Sequence, residues 1–334
     1  MKKMKKIFIS SILLLYCLSA SSQLLDKIFK RNPDSVYVMP YKNKITAKPF
    51  VSQQFMSLNF IDFDNESKNV IYNPNVKLYT GVELNYKFLG FAFSAKIPRI
   101  KSMQAKFGDT KFFNFKLNIT TSHFGAEAFF QRYNGFYLFN AKDFISNFSV
   151  LSDTFPQQED LGVYNFGLSA YWQFSKKMSL AAAFNQTQRQ LKTAGSFFFM
   201  TSYLLSGISN EGILVPDSFL NTLPHLASYR SGVYNTFAIA PGYGKTFVFE
   251  KSIYFTLVGY AGVGLQPQYN KFDNKSEFKF RGAYKFNGRA AIGYNGEIFF
   301  ASFTAGADLT TIKLRDIKIN VIPMFWKIGA GMRF

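Results

Sequence analysis

Basic side chains recur at alternate positions of several segments, and they are the residues whose spacing most suggests chemistry. If the intervening apolar residues face lipid, the basic positions line an interior that favours anions, as rings of lysine and arginine do in pores. The expected interior set has nine basic residues and one acidic residue: Lys77, Glu83, Lys87, Lys96, Lys116, Arg281, Lys285, Arg289, Lys327 and Arg333. Of these we take six as candidate anion contacts: Lys77, Lys87, Lys116, Lys285, Arg289 and Lys327. The alternative is that some lie at strand ends, beside lipopolysaccharide phosphates or water.

Catalysis has much weaker support, because the sequence holds only two histidines, His123 and His225. His225 lies in a polar segment near Asp217, Ser218 and Ser228. An enzyme acting on outer-leaflet lipid would need such a hydroxyl, a base and an orienting group. Polar loops contain these residue types anyway. We therefore expect no enzyme activity and assign no catalytic residue.

Metal and nucleotide sites also lack sequence support. The only cysteine is Cys17, and neither an HExxH motif nor a paired-acid spacing occurs. A glycine-rich phosphate-binding motif is also missing from the sequence. We predict neither a metal nor a cofactor.

The first 22 residues have the three parts of a secretory signal peptide. Four lysines precede the apolar run from Ile7 to Leu18, and small residues follow from Ser19 to Ser22. The apolar run is shorter than the roughly 20 residues that a transmembrane helix needs. Its removal lowers the formal net charge from +19 to +15, since 39 − 4 basic residues then face 20 acidic ones. In an exported protein we assign this excess to anionic lipids or solutes rather than to nucleic acid.

Alternation of apolar and polar residues continues through the rest of the chain and predicts β-strands. In residues 76–88, one face runs from Val76 to Phe88 in steps of two, and the other face carries Lys77 and Glu83. Aromatic residues make up 19% of the chain, yet no run of 18 apolar residues follows residue 22. Very short links alternate with long polar connections at 61–75, 98–110, 134–160, 208–232 and 266–280. This asymmetry is typical of outer-membrane barrels.

The end of the chain predicts how such a barrel assembles. Trp326, Ile328, Met332 and Phe334 share one face of the last strand, and the chain ends in phenylalanine. This arrangement resembles the signal that the bacterial barrel-assembly machinery reads. The predicted fold is all-β: a transmembrane antiparallel up-and-down β-barrel of about 12 strands, with short periplasmic turns and long extracellular loops. We expect a signal peptide at 1–22, a periplasmic segment at 23–44 and an outer-membrane barrel at 45–334.

Residues 184–199 interrupt the alternation with a polar run that contains Arg189 and Lys192, two further candidate anion contacts. Thirteen alternating segments can be counted, but a barrel with both chain ends in the periplasm needs an even number. Treating 179–207 as one outward passage gives twelve. The polar run is then either a constriction inside the lumen or an extension of the strand beyond the bilayer.

Four stretches carry a resemblance to a known family. They are DSVYVMPYKNKITAKPFVS (34–52), FGAEAFFQRYNGFYL (124–138), AAFNQTQRQLKTAGSFFF (182–199) and GAGMRF (329–334). The chain resembles a family of Bacteroidota outer-membrane proteins catalogued as domain of unknown function 4421. The resemblance implies a signal peptide, an outer-membrane barrel and a Bacteroidota host, and it implies no activity.

The functional expectation is a passive pore or a binding barrel for small anionic solutes, with a basic lumen. The alternatives are a structural barrel that interacts with lipopolysaccharide and an outer-leaflet lipid-modifying enzyme that uses His225. The expected partners are outer-membrane lipid, lipopolysaccharide, the barrel-assembly machinery and small anionic solutes, without nucleic acid.

Overall fold

The computed structural model describes residues 32–41, 43–63, 69–97, 101–151, 153–215 and 220–334. The predicted signal peptide, residues 1–22, lies outside the described residues, and so does part of the predicted segment 23–44. Within the described ranges, no helix is both long enough and apolar enough to cross a membrane.

Strands dominate the described part of the chain. Among the described residues, the helical elements are α1 (Lys101–Phe107), α2 (Pro224–Ser228), a 3-10 turn (Ala141–Asp143) and a π-helical turn (Ala181–Asn185). The strands are β1 (Val38–Pro40), β2 (Ile45–Asp62), β3 (Asn69–Asn73), β4 (Tyr79–Tyr86), β5 (Leu89–Lys96), β6 (Lys111–Thr120), β7 (Phe124–Leu138), β8 (Gln157–Gln173), β9 (Gln188–Gln190), β10 (Ala194–Ser209), β11 (Tyr229–Phe249), β12 (Ile253–Phe272), β13 (Ser276–Asn295), β14 (Phe299–Lys313) and β15 (Ile317–Arg333).

Twelve of these strands close into a barrel. Antiparallel pairing runs in the order β2, β4, β5, β6, β7, β8, β10, β11, β12, β13, β14 and β15. The ring is completed where β15 pairs with β2, from Ile317 opposite Asp62 to Arg333 opposite Thr46. A closed ring leaves no free sheet edge at this join. The predicted fold class, a transmembrane antiparallel up-and-down barrel of about twelve strands, is confirmed.

The alternation in the sequence corresponds to the two faces of the barrel wall. In β8, Asn165 and Gln173 point inward and are buried, whereas Leu168 and Trp172 point outward and are exposed. Outward apolar side chains form a belt around the barrel, and Phe280 is 71% exposed. An apolar surface of this extent is unfavourable in water and favourable against lipid.

The two ends of the barrel differ in their connections. At one end, here called the short-turn end, the links at 87–88, 121–123, 250–252 and 296–298 are brief. At the other, the long-loop end, residues 97–110, 139–156 and 210–228 join the strands. The predicted long connection at 266–280 is corrected, because β12 and β13 extend through it and only 273–275 remain as a turn. Gln266, Gln268 and Asn270 are buried and continue the inward polar face of β12.

One sector of the wall is incomplete. At the long-loop end, β3 pairs with both β2 and β7, so that Tyr72 lies opposite Leu138. The short strands β5 and β6 share only two ladder positions, Leu89 with Ile119 and Gly90 with Asn118. Beyond these, residues 91–96 of β5 have no ladder partner in β6 among the described residues. We call this gap the β5–β6 seam.

The terminal phenylalanine takes part in closing the ring, and we expect its deletion to lower the amount of assembled barrel. The backbone N–H of Phe334 donates to Ile45 O at 3.0 Å, and Ile45 N–H donates to Phe334 O at 3.3 Å. Removing Phe334 loses both bonds and a lipid-facing ring. Quantitative blotting of membrane fractions checks this, with Met332→Ala as the control on the same outward face. Equal abundance of the deletion variant and the wild type would contradict it.

Candidate functional site

Six charged side chains from six strands meet inside the barrel. Each occupies an inward position of the alternation, and we call the group the central charge cluster. It consists of Lys48 (β2), Glu83 (β4), Lys116 (β6), Glu127 (β7), Arg289 (β13) and Lys327 (β15).

Glu83 holds one half of the cluster. Its Oε1 lies 3.3 Å from Lys48 Nζ, and its Oε2 accepts a hydrogen bond from Lys327 Nζ. Asn85 Nδ2 donates to Glu83 Oε1 at 3.0 Å. The Lys48 side chain is only 1% exposed and also donates to Gln186 Oε1 at 3.0 Å. This half is therefore a buried ion-pair network, in which loss of the carboxylate would leave a cation away from water.

Glu127 holds the other half. Lys116 Nζ lies 2.7 Å and Arg289 Nη2 3.2 Å from Glu127 Oε2. The Lys116 side chain is 34% exposed, whereas that of Lys48 is 1% exposed, so this half is more accessible to solvent than the Glu83 half. The two halves adjoin at β15, because Lys116 Nζ lies 5.7 Å from the centroid of the Phe325 ring and Lys327 follows two residues later. The two halves are therefore neighbours inside the barrel.

The cluster carries more positive than negative charge. Its four bases and two acids give +4 − 2 = +2. A third acid, Asp308, accepts from Lys285 Nζ at 2.9 Å and from Asn287 Nδ2 at 3.0 Å, and this pair adds no net charge. In an enclosed space with low-dielectric walls, an uncompensated positive charge raises the local concentration of anions.

Residues 177–192 fold into the short-turn end of the lumen, and we call them the plug. Gln186 is fully buried and donates to Ala183 O at 2.9 Å and to Tyr254 Oη at 3.2 Å. Asn295 Nδ2 on the barrel wall donates to Ala182 O at 3.0 Å. Strand β9 of the plug pairs with β1 rather than with the wall. The sequence allowed the polar run to be either a constriction inside the lumen or an extension of the strand beyond the bilayer. The structure shows the constriction.

An apolar core closes the long-loop end, and we call it the apolar cap. Phe144 from residues 139–156 and Leu214 and Leu226 from residues 210–228 are buried there, with Phe60 and Tyr229 from the strands. The cap ties to the wall because Leu226 N–H donates to Asp62 Oδ2 at 3.1 Å. The central charge cluster therefore lies in the lumen between the plug and the cap.

Three of the candidate anion contacts from the sequence belong to the cluster: Lys116, Arg289 and Lys327. A fourth, Lys285, is buried in the lumen and paired with Asp308. The inward acids Glu127 and Asp308 are absent from the expected interior set. Both stand at inward positions of alternating segments. Strand parity, the rule that every second residue of a strand points to the same side of the wall, could therefore have identified them. The lumen is therefore less basic than the sequence suggests.

Four other candidates lie away from the cluster. Lys77 precedes β4 at the long-loop end, and Lys87 adopts a φ of 55° in the exposed turn after β4. Arg189 Nη2 donates to Ser252 Oγ at 2.7 Å, in a turn of the short-turn end. Lys192 is exposed and lies beside the Tyr37 ring, with its Nζ 5.7 Å from the ring centroid. These residues lie in turns, in the plug or just before a strand. The alternation of inward and outward side chains holds only within a strand, so it does not predict where they point.

His225 lies in the apolar cap, at α2. Ser228 Oγ donates to the backbone oxygen of His225 at 2.9 Å, so this hydroxyl is engaged with the backbone. Asp217 and Ser218 lie outside the described residues. Among the residues that the structure describes, no group of three or more His, Cys, Asp or Glu side chains is arranged to hold a metal ion.

The profile of a protein family described as "Domain of unknown function (DUF4421)" matches residues 32–334. This is the family that the four sequence stretches resemble. No curated protein matches the chain.

Several solved structures are similar to the chain at low identity. The outer membrane protease OmpT from Escherichia coli is 6% identical, with 87% of this chain and 97% of that chain covered and a TM-score of 0.37. The translocator domain of the autotransporter NalP from Neisseria meningitidis is 8% identical, with 97% of each chain covered and a TM-score of 0.31. Ail, the attachment invasion locus protein of Yersinia pestis, is 12% identical, with 88% and 99% covered and a TM-score of 0.19. At these TM-scores the similarities support no statement about activity.

Proposed function

The chain belongs to the DUF4421 family, and we propose that this member is an outer-membrane barrel that binds small anionic solutes at its central charge cluster. The observation that carries the proposal is the surplus of two positive charges in the lumen between the plug and the apolar cap. Each acid of the cluster is already shared by two bases. The two carboxylates therefore cannot neutralise all four cations, and an incoming anion can supply the missing negative charge.

A binding barrel accounts for the geometry better than a passive pore. An open pore needs a continuous wet path, whereas buried side chains of the plug and the cap stand at the two ends of this lumen. Of the other inward bases, Lys285 is paired with Asp308 and Arg333 is bonded to the plug. Conduction would require the plug to leave its bonds to the wall.

An outer-membrane location fits the apolar belt of the barrel and the signal peptide predicted at residues 1–22. Aromatic side chains such as Phe197, Phe237 and Phe280 are more than half exposed and point away from the lumen. Lipid is the solvent in which such a belt is stable.

The binding proposal predicts that Arg289→Gln and Lys327→Gln each weaken the binding of inorganic phosphate about tenfold, roughly 1.4 kcal/mol. Each substitution removes one surplus charge and leaves the carboxylate partner with a base, Lys116 for Glu127 and Lys48 for Glu83. Isothermal titration calorimetry on the detergent-solubilised barrel measures the dissociation constants. We expect a closed barrel to resist detergent unfolding until it is heated, and this heat-modifiable gel mobility checks that each variant is folded.

The control is Lys271→Gln, because Lys271 is exposed on the outward face of β12. We expect this variant to bind phosphate as the wild type does. If Arg289→Gln and Lys327→Gln bind phosphate as tightly as the wild type, or if the wild type does not bind it, the proposal fails.

A further inference from the structure

The β5–β6 seam is closed by hydrogen bonds toward both ends of the barrel. It is therefore an opening within the wall, here called the window. Toward the short-turn end, the two ladder positions at 89–90 are followed by a bond from Thr120 N–H to Phe88 O at 3.1 Å. Toward the long-loop end, Asn75 Nδ2 donates to Gly108 O at 2.6 Å, which ties the segment before β4 to the segment before β6. Between these closures, residues 91–96 span about 17 Å at the usual rise per strand residue.

Inward-facing residues of β5 at the seam are exposed, whereas most inward positions in the middle of the continuous wall are buried or half-buried. Ala92 and Ser94 pair with Glu83 and Gly81 of β4, which places them on the inner face, and yet both are exposed. Inward positions in the continuous wall, such as Thr256, are buried. The interior is therefore accessible at this window, where Ala92 and Ser94 have small side chains and Lys96 stands at the next inward position.

Lys116 borders the window from the other side. The two ladder positions fix the register between β5 and β6, and extending it by two residues sets Ala92 opposite Lys116. Lys116 is paired with Glu127 at 2.7 Å, while its side chain remains 34% exposed. A cation of the charge cluster thus lies on the inner face of β6 beside the opening.

The outer face of the window is apolar. Phe91 and Phe93 on β5 and Phe113 and Phe115 on β6 point outward, and each is at least 49% exposed. Beside β6, a groove of about 780 Å³ begins at Leu117 and crosses the outward faces of the next strands. Backbone groups without ladder partners are unfavourable against lipid tails, so a window here needs water or a polar ligand group.

We propose that the β5–β6 seam is a lateral entrance for an amphipathic phosphate, whose headgroup binds at Lys116 while its acyl chains stay outside along the aromatic rim and the groove. This inference rests on the proposed function, since the headgroup uses the same surplus charge. A membrane lipid reaches the window along the bilayer, whereas a free phosphate has no apolar part to hold at the rim. The ligand class is thus a phosphomonoester carrying short or long acyl chains.

The test compares two probes: dihexanoyl phosphatidic acid below its micelle concentration, and inorganic phosphate. Ser94→Trp fills the window from inside, and Ala95→Trp, on the outward face of the same strand, is the matched control. We expect Ser94→Trp to weaken lipid binding at least tenfold and to leave phosphate binding within about twofold of the wild type. Ala95→Trp should leave both unchanged, and Lys116→Gln should weaken both. Retained heat-modifiability confirms that each variant forms the barrel.

The outcomes separate the two proposals. Lipid binding that is equal in the wild type and Ser94→Trp would overturn the lateral entrance. Phosphate binding without lipid binding would overturn it too, and would leave the proposed function standing. If neither probe binds, both proposals fail. A loss of lipid binding in Ser94→Trp alone supports the entrance.

Discussion

Replacing Glu83 by glutamine is expected to lower the free energy of unfolding by about 3–5 kcal/mol, the usual cost of removing one partner from a buried ion pair. Glu83 neutralises both Lys48 and Lys327, and the side chains of Lys48 and Glu83 are only 1% and 8% exposed. Without the carboxylate, Lys48 keeps Gln186 as a hydrogen-bond acceptor and has no counter-charge of its own. Urea titration in detergent micelles, followed by tryptophan fluorescence, measures the change.

Two further variants make this prediction specific. Glu159→Gln changes an exposed carboxylate on β8 and should leave the unfolding midpoint unchanged. The double variant Lys48→Met/Glu83→Gln should recover part of the loss, because it removes the buried cation together with its partner. An unchanged midpoint in Glu83→Gln alone would mean that water reaches Lys48 and that the Glu83 half of the cluster is not buried.

Replacing Arg333 by methionine is expected to release the plug from the wall. Arg333 Nε donates to Gln186 O at 2.9 Å and Nη1 to Gly296 O at 2.6 Å, and Nη2 donates to Asn295 Oδ1. The guanidinium carbon also lies 4.0 Å from the centroid of the Tyr41 ring. Burial raises the pKa of Tyr41, which fits a ring packed in this junction. One residue thus joins the plug, a turn and the N-terminal segment.

The expected effect is a loss of about 3 kcal/mol in the local opening free energy of the plug, or roughly hundredfold faster amide exchange there. Hydrogen exchange of residues 177–192, followed by mass spectrometry, measures it. Arg333→Lys keeps the charge without the forked geometry and should lie between the wild type and Arg333→Met. Arg281→Met, at a half-buried inward position of β13, is the control and should not change exchange in the plug. Wild-type exchange rates in Arg333→Met would contradict the role of this residue.

Strand parity explains how much of the fold could be predicted from the sequence. Alternation identifies the inward faces of strands such as β8 and β15, because each neighbouring side chain points to the opposite side of the wall. The same rule would have placed Glu127 and Asp308 in the lumen beside Lys116 and Lys285. It also accounts for the length of β12, whose polar inward face continues where a loop is expected.

Other features depend on contacts between distant segments and leave no such signal. The β5–β6 seam arises because β3 takes the place beside β2 and β7 at the long-loop end, and the sequence of β5 alternates like that of a fully paired strand. Arg189 shares the polar run with Gln186, yet only Gln186 turns into the lumen. The apolar cap is built by connections whose residues have no strand periodicity.

Phosphate binding to the double variant Arg289→Gln/Lys327→Gln tests the central claim most directly. The variant lowers the net charge of the cluster from +2 to 0, because 2 − 2 = 0, while Lys48 still pairs with Glu83 and Lys116 with Glu127. We expect the wild type to saturate at one phosphate per barrel, with an affinity that falls as salt rises, and we expect the double variant to show no saturable binding. Saturable binding of wild-type affinity in a folded double variant would contradict it.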